Sequence, residues 1–323
     1  MGIGHYIKDI GRGRDGARPL TREHATDLMG QVLDGQVTDL EIGAFCLAMR
    51  IKGETPEEMA GFLDATHARL QHVRADADTP VVVLPSYNGA RKLPVLTPLL
   101  ACLLAREGVA VVVHGTATES SRITSEAVLA ALGIPARQTA GTVAAGDVAF
   151  VPTEVLNPAL KRLLDVRRVV NLRNPAHSLV KLMNPVARLS LSTSPSTSPV
   201  VGSTPQIPEA RTLLVSSYTH PEYAISMAAT LALTEARALL LRGTEGEVVA
   251  DARRLPQIDA FVNGTRTALV EAQAGSLLKL PELPTQIDAD STARYIQNVL
   301  DGQLPVPAPI ARQVQAALQA LAL

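Results

Sequence analysis

The spacing of apolar positions changes near residue 80, and that change divides the chain. From about residue 20 to 75 the apolar positions recur at helical spacing. Leu28, Val32 and Leu33 share one face, the three-to-four-residue rhythm of an amphipathic helix. Thr21 stands before that run as an N-cap, and His24 at the third position after it leaves the capping box incomplete. Asp34-Gly35-Gln36 ends the helix. Thr38 caps a second one, with Glu41 completing the box and Leu40, Ile42, Phe45, Leu47, Ala48 and Met49 as its apolar positions. After the turn Lys52-Gly53-Glu54, Thr55 caps a third. Pro56 takes its first position, and Glu57 and Glu58 lie in the first turn, where the helix dipole favours acids. This rhythm predicts a small helical bundle over 1–75.

Beyond residue 80 short apolar runs alternate with helical stretches. Val81-Val82-Val83-Leu84, Val109 to Val113, Asp147 to Val151, Leu213 to Ser216 and Ala238 to Leu241 read as strands. Continuous rather than alternating apolar runs indicate strands covered on both faces. Helices are expected at about 95–107, 124–132 and 221–233. Strands separated by helices predict an α/β domain over 80–323 with a central, mostly parallel sheet. Residues 190–208 are rich in Ser, Thr and Pro and predict a mobile loop rather than a packed element.

Composition narrows the function classes. A length of 323 residues suits about two domains, and 46% hydrophobic with 19% charged residues is ordinary globular usage. Two cysteines, Cys46 and Cys102, exclude a disulfide framework and a cysteine-based zinc site. Both lie in apolar runs and read as buried thiols. No run approaches the roughly 18 apolar residues of a membrane span, and Met1 to Arg14 holds no apolar signal core, so a cytoplasmic location is expected. Aromatic residues are 3% with no Trp, which argues against a base-stacking platform.

Net charge is −1, but it is unevenly distributed. Residues 1–80 hold 9 Lys/Arg and 13 Asp/Glu, residues 81–185 hold 11 and 6, and residues 186–323 hold 10 and 12. A basic middle third between acidic flanks reads either as a phosphate-contacting surface or as solvated helix faces.

Ligands of open α/β sheets bind at the carboxyl ends of the strands. Two such ends, Pro85 to Lys92 and His114 to Arg122, combine small residues, hydroxyls and helix starts whose backbone N–H groups suit a phosphate. A third stretch carries Lys161, Arg162, Arg167, Arg168, Arg173 and Lys181. None is a phosphate-loop or dinucleotide motif. His114 is either a ligand contact or a structural histidine, and no histidine spacing suits a metal.

The order of motifs resembles the anthranilate phosphoribosyltransferases, which share a fold with pyrimidine nucleoside phosphorylases. The segment from Leu40 through Lys52-Gly53-Glu54-Thr55 carries the resemblance, with His114-Gly115, Ser120-Ser121, Glu126 to Ile134, Asn157 to Lys161, Val166-Arg167 and Asn184-Pro185. It implies a helical domain completed by a returning segment at about 160–185, a homodimer through that domain, and a groove between the domains. The family's chemistry, phosphoribosyl transfer with Mg²⁺, is poorly matched. Its glycine-rich pyrophosphate turn corresponds to Pro85-Ser86-Tyr87-Asn88-Gly89, where Pro85 removes a donor and Tyr87 adds bulk. Its phosphate-facing lysine and substrate-facing asparagine are missing around His114-Gly115-Thr116. Its adjacent aspartate–glutamate metal pair corresponds to Arg242-Gly243-Thr244-Glu245-Gly246-Glu247, with no adjacent pair. Arg167 matches the arginine that faces anthranilate.

Asn171 to Pro185 and Ser217 to Tyr223 resemble more closely a divergent YbiB-type branch, which implies dimeric, sequence-nonspecific binding of DNA or RNA without catalysis. On this reading Arg91, Lys92, Arg122, Arg167, Arg168, Arg173 and Lys181 contact phosphates. Ser86, Asn88, Gly89, His114 and Gly115 are then the remnant of a pocket, and no cofactor is required. The alternative is a phosphoribosyltransferase or phosphorylase with an altered substrate, which would require Mg²⁺.

Overall fold

Threonine side chains open the helices of the N-terminal domain. The computed structural model describes residues 2–13, 15–76, 78–188, 212–275 and 280–323; the Ser/Thr/Pro-rich stretch at 190–208 lies outside the described residues. Four helices come first: α1 (Gly4–Ile10), α2 (Arg22–Leu33), α3 (Asp39–Lys52) and α4 (Pro56–His67). Thr21 Oγ1 accepts from the His24 N–H, and Thr38–Glu41 and Thr55–Glu58 both form complete capping boxes. Glu58 is fully buried and also accepts from Leu20 N–H at 2.8 Å and Lys52 Nζ at 2.6 Å. One carboxylate thus caps α4, anchors the approach to α2 and neutralises the end of α3. Met49 and Met59 are core residues, but Leu40 and Leu47 are not: they are 83% and 49% exposed. With Ile51 they form an outward apolar row on α3.

The next elements are β1 (Val73–Ala75), β2 (Val81–Pro85), α5 (Thr97–Arg106), β3 (Ala110–Gly115), α6 (Ser125–Ala131) and β4 (Val148–Pro152). The chain then returns to the helical domain through α7 (Thr153–Leu156), α8 (Pro158–Val170) and α9 (Ala176–Leu179); α8 packs against α2 and α9 against α4. A short strand β5 (Val186–Arg188) pairs in parallel with β1. The α/β domain closes with β6 (Thr212–Tyr218), α10 (Pro221–Leu233), β7 (Ala238–Arg242), β8 (Ile258–Val262), β9 (Thr265–Val270), α11 (Ala289–Leu300) and α12 (Ala308–Ala322).

The main sheet has the order β4-β3-β2-β6-β7-β8-β9. Its first five strands are parallel, and β8 and β9 add antiparallel at one edge. Alternate side chains of each strand enter different cores, as the strand period requires. Val81, Val83, Val112, Leu214 and Leu240 face the helical domain and α10, whereas Val82, Leu84, Val111, Val113, Leu213 and Leu239 face α5, α6, α11 and α12. Burial on both faces accounts for the continuous apolar runs. No helix among the described residues is long and apolar enough to cross a membrane.

Candidate functional site: a strand-end cradle beside an interdomain cleft

The strand order reverses direction between β2 and β6, and ligand crevices of open α/β sheets lie at such a point. The turn after β2, residues 86–93, meets the turn after β7, residues 243–247, at this position. The meeting is tight. A Cβ on Gly246, whose φ is +88°, would lie 2.1 Å from Asn88 Nδ2; on the other side of the 86–93 turn, a Cβ on Gly115 at the end of β3 would lie 1.8 Å from Ser86 O.

The N–H groups of the 86–93 turn are not open to a ligand, contrary to the expectation from sequence. Glu247, 1% exposed, occupies the cradle. Its Oε1 accepts from Asn88 N–H at 2.9 Å and Gly89 N–H at 2.7 Å. Its Oε2 accepts from Ser86 Oγ at 2.5 Å, Thr97 Oγ1 at 3.1 Å and Ser125 Oγ at 3.5 Å. Glu245, in the left-handed backbone region at φ +53°, accepts from the N–H groups of Arg91, Lys92 and Leu93 at 2.9, 3.0 and 3.2 Å. Gly246 O accepts from Asn88 Nδ2 at 2.7 Å and Ser217 Oγ at 3.1 Å. Ser86, Asn88 and Gly89 therefore stand together as expected, but around the chain's own carboxylate.

His114 and Tyr87 belong to the core rather than to a pocket. His114 is fully buried. Its Nε2 faces Met183 O at 3.2 Å and so carries the proton, which leaves Nδ1 to accept from Tyr87 Oη at 2.9 Å. Thr153 Oγ1 donates in turn to Tyr87 Oη at 3.1 Å. Every polar atom of this relay is satisfied. Burial pushes the His114 imidazolium down to about 3, against the pull of the Met183 carbonyl. The bulk of Tyr87 is absorbed inward and does not fill the cradle.

Outside the cradle, a cavity of about 350 Å³ lies between the helical domain and the sheet, lined by Arg50, Arg173, His177, Lys181, His220 and Tyr223 among others. Lys181 Nζ donates to Ser217 O at 3.4 Å and Gly246 O at 3.3 Å. Burial pushes its ammonium down to about 8, with Glu247 pulling it up in part. Burial also pushes His177 down to about 4, aided by Arg173 and Arg167, and its Nε2 is buried without a hydrogen-bond partner. Arg173 Nη2 donates to Asn88 Oδ1 at 3.2 Å.

Three of the expected cations converge on one acid. Glu119 accepts from Arg167 at 2.7 Å and Arg122 at 3.1 Å, and Arg173 lies 3.8 Å away. Burial opposes ionisation of Glu119, yet Arg167 and Arg122 hold its carboxyl below the ordinary value. One carboxylate against three guanidiniums leaves the cluster cationic, and Arg167 Nη1 is buried without a partner. Arg91 and Lys92 are exposed, and among the described residues no ion pair engages their side chains. The third basic stretch does not form a single patch. Arg168 pairs with Asp165 at 3.2 Å, Lys161 pairs with the same Asp165, and Arg162 pairs with Asp39 at 2.8 Å. These three belong to the solvated surface of α8.

Glu245, Glu247 and Glu119 are the site residues that sequence reasoning passed over. The first two lie in the very stretch set against the family's metal pair.

Residues 5–69 match the helical bundle domain of a glycosyl transferase family. The whole chain is similar to the uncharacterized protein YbiB of Escherichia coli (strain K12), 37% identical over 97% of this chain and 92% of the relative. An anthranilate phosphoribosyltransferase of Anaeromyxobacter sp. (strain Fw109-5) is 33% identical over 51% of this chain and 50% of its own. Among solved structures, that of the enzyme from Thermus thermophilus superposes with a TM-score of 0.66 at 22% identity, covering 98% of this chain and 87% of the other. The enzyme from Saccharomyces cerevisiae in complex with PRPP and Mg gives 0.66 at 12% identity, over 99% and 88%. The residues here do not fit that metal. Both carboxylates of the 245–247 turn are engaged by the chain's own donors. Among the described residues no group of three or more His, Cys, Asp or Glu is arranged to hold an ion.

Proposed function

The chain belongs to the anthranilate phosphoribosyltransferase-like family of glycosyl transferases, and from that premise we propose that it binds DNA or RNA without sequence preference and transfers no phosphoribosyl group. The observation that carries this reading is the division of labour at the strand ends. Backbone donors that could cradle a small phosphate are spent on Glu245 and Glu247, while cationic side chains face the open cleft and its rim. Cations without a cradle neutralise a polyanion's backbone and carry no base information. On this reading Lys181 and Arg173, which line the cleft, contact the strand together with Arg122 and Arg167, which share Glu119 with Arg173, and with the exposed Arg91 and Lys92.

The molecule acts as a homodimer. The row Leu40, Leu47 and Ile51 on α3 supports this, as do the exposed Val169 and Leu172 at the end of α8. Two grooves in one particle raise avidity for a long strand. Aspartate at Leu40 and Leu47 is expected to give a monomer in light scattering.

Fluorescence anisotropy with labelled single-stranded DNA at two salt concentrations tests the binding. Affinity is expected to fall steeply with salt. R91A/K92A is expected to lower it and to flatten the salt slope by about 0.7 for each phosphate that is no longer neutralised. Binding equal to wild type in R91A/K92A at both salts rejects this surface. Turnover of anthranilate and phosphoribosyl pyrophosphate with Mg²⁺ by the wild-type protein rejects the non-catalytic reading.

A further inference from the structure

We propose that Glu247 decides which ligands the strand ends can take: its carboxylate is a built-in oxyanion that fills a phosphate cradle, and removing it creates a site for a small inorganic oxyanion. Two backbone N–H groups and three hydroxyls converge on this one side chain. A nest of successive N–H groups beside hydroxyl donors is the donor set a phosphate requires. No apolar side chain could hold this place, because the Asn88 and Gly89 N–H groups and the Thr97 hydroxyl would lose their acceptor, leaving only the Ser86–Ser125 hydroxyl pair bonded to each other.

The plug is held from outside as well. Lys181 Nζ and Asn88 Nδ2 grip Gly246 O, and Glu245 is pinned by the N–H groups of residues 91–93. An incoming pyrophosphate would have to break all of these contacts and expel a carboxylate that is 1% exposed. The same two glutamates are thereby unavailable to Mg²⁺. The misfit between this chain and its relatives' metal site is therefore not a loss of acids but their redeployment as acceptors. This inference concerns the cradle alone and does not depend on nucleic-acid binding in the cleft.

The test is chemical rescue. E247A is unfolded thermally in chloride buffer and in inorganic phosphate or formate at matched ionic strength. Its midpoint is expected to rise by a few degrees, saturably, in phosphate and formate, because a ligand that binds only the folded state stabilises it. Wild type, whose cradle is full, and E247Q, whose amide still fills the space, are expected to show no such rise. A folded E247A with the same midpoint in phosphate and chloride overturns the proposal, as does a rescue of E247Q equal to that of E247A. If E247A does not fold, wild-type amide exchange decides. Exchange over residues 86–93 is expected to be slow and unchanged by inorganic pyrophosphate. A pyrophosphate-dependent change confined to that turn shows that the cradle takes the ligand and overturns the proposal.

Discussion

Glu247 and Arg173 both bond to Asn88, the first through its backbone N–H and the second through its side-chain oxygen, yet their surroundings differ. On the Glu247 side every donor has an acceptor within the chain, and solvent is excluded. On the Arg173 side the cations outnumber their acids, Arg167 Nη1 and His177 Nε2 lack partners, and a cavity opens to solvent. A buried polar group must be satisfied or it destabilises the fold, so the closed side contributes to stability. The buried Arg167 Nη1 and His177 Nε2 cost stability for as long as they lack a partner, so the open side is less satisfied than the closed one. The same short turn is therefore sealed on one side and borders an open, cationic cleft on the other.

Acid should break this comparison first and most strongly. Burial holds His114 at about 3 and His67 and His177 at about 4. These folded-state values lie below the ordinary 6.5, so the unfolded chain binds more protons between them. Stability is then fully present above about pH 6.5 and is lost as pH falls towards 4. Each neutral imidazole withdraws up to about 1.4 kcal/mol per pH unit in that window. Unfolding free energies from urea titrations at pH 7, 6 and 5 should fall by several kcal/mol in total, with the midpoints moving to lower urea. A flat profile would place these histidines in solvent.

The second break separates the two sides by mutation. E247A leaves the Asn88 and Gly89 N–H groups and the Thr97 hydroxyl unsatisfied and Lys181 without its counter-charge, and is expected to cost about 3–5 kcal/mol. R91A/K92A removes two exposed side chains with no ion pair and should change stability by less than about 0.5 kcal/mol while weakening DNA binding. Equal losses of stability in the two variants would mean that the closed and open sides are not distinct.

How much of this was legible depended on how far apart the partners lie in sequence. The caps at Thr21, Thr38 and Thr55 and the five parallel strands are local signals, and the structure carries them where the sequence placed them. The β8–β9 hairpin went unread although Asn263-Gly264, at φ +49° and +75°, is a strong local turn signal. Its second strand begins Thr-Arg-Thr and exposes its first four residues, so it lacks the apolar run by which the other strands were found. Helical spacing placed Leu40 and Leu47 on an apolar face but could not say whether this chain or another covers it. The plug was the hardest to read, because Glu247 reaches donors more than 120 residues away. Only the parallel neighbours β2, β6 and β7 bring those two turns together. Arg122 lies three residues from Glu119, but the approach of Arg167 and Arg173 to the same acid depends on the return of α8 to the helical domain and carries no local signal.

The smallest expected effect sharpens the boundary itself, where Lys181 lies between plug and cleft. Burial brings its ammonium down to about 8, so between pH 7 and 9 the cleft floor loses its charge. DNA affinity should fall by roughly threefold to tenfold over that interval, the worth of one charge-assisted contact of about 1 kcal/mol. Stability should move the other way. The folded value lies below the ordinary 10.5, so from about pH 8 to 10.5 the unfolded chain holds the extra proton, and the contribution of Lys181 to stability rises with pH. K181M should bind at pH 7 as wild type does at pH 9, with no further loss on raising the pH. A K181M protein whose affinity still falls across pH 8 as steeply as wild type would assign that titration to another group. The cation of the cleft floor would then have to be sought among the arginines around Glu119.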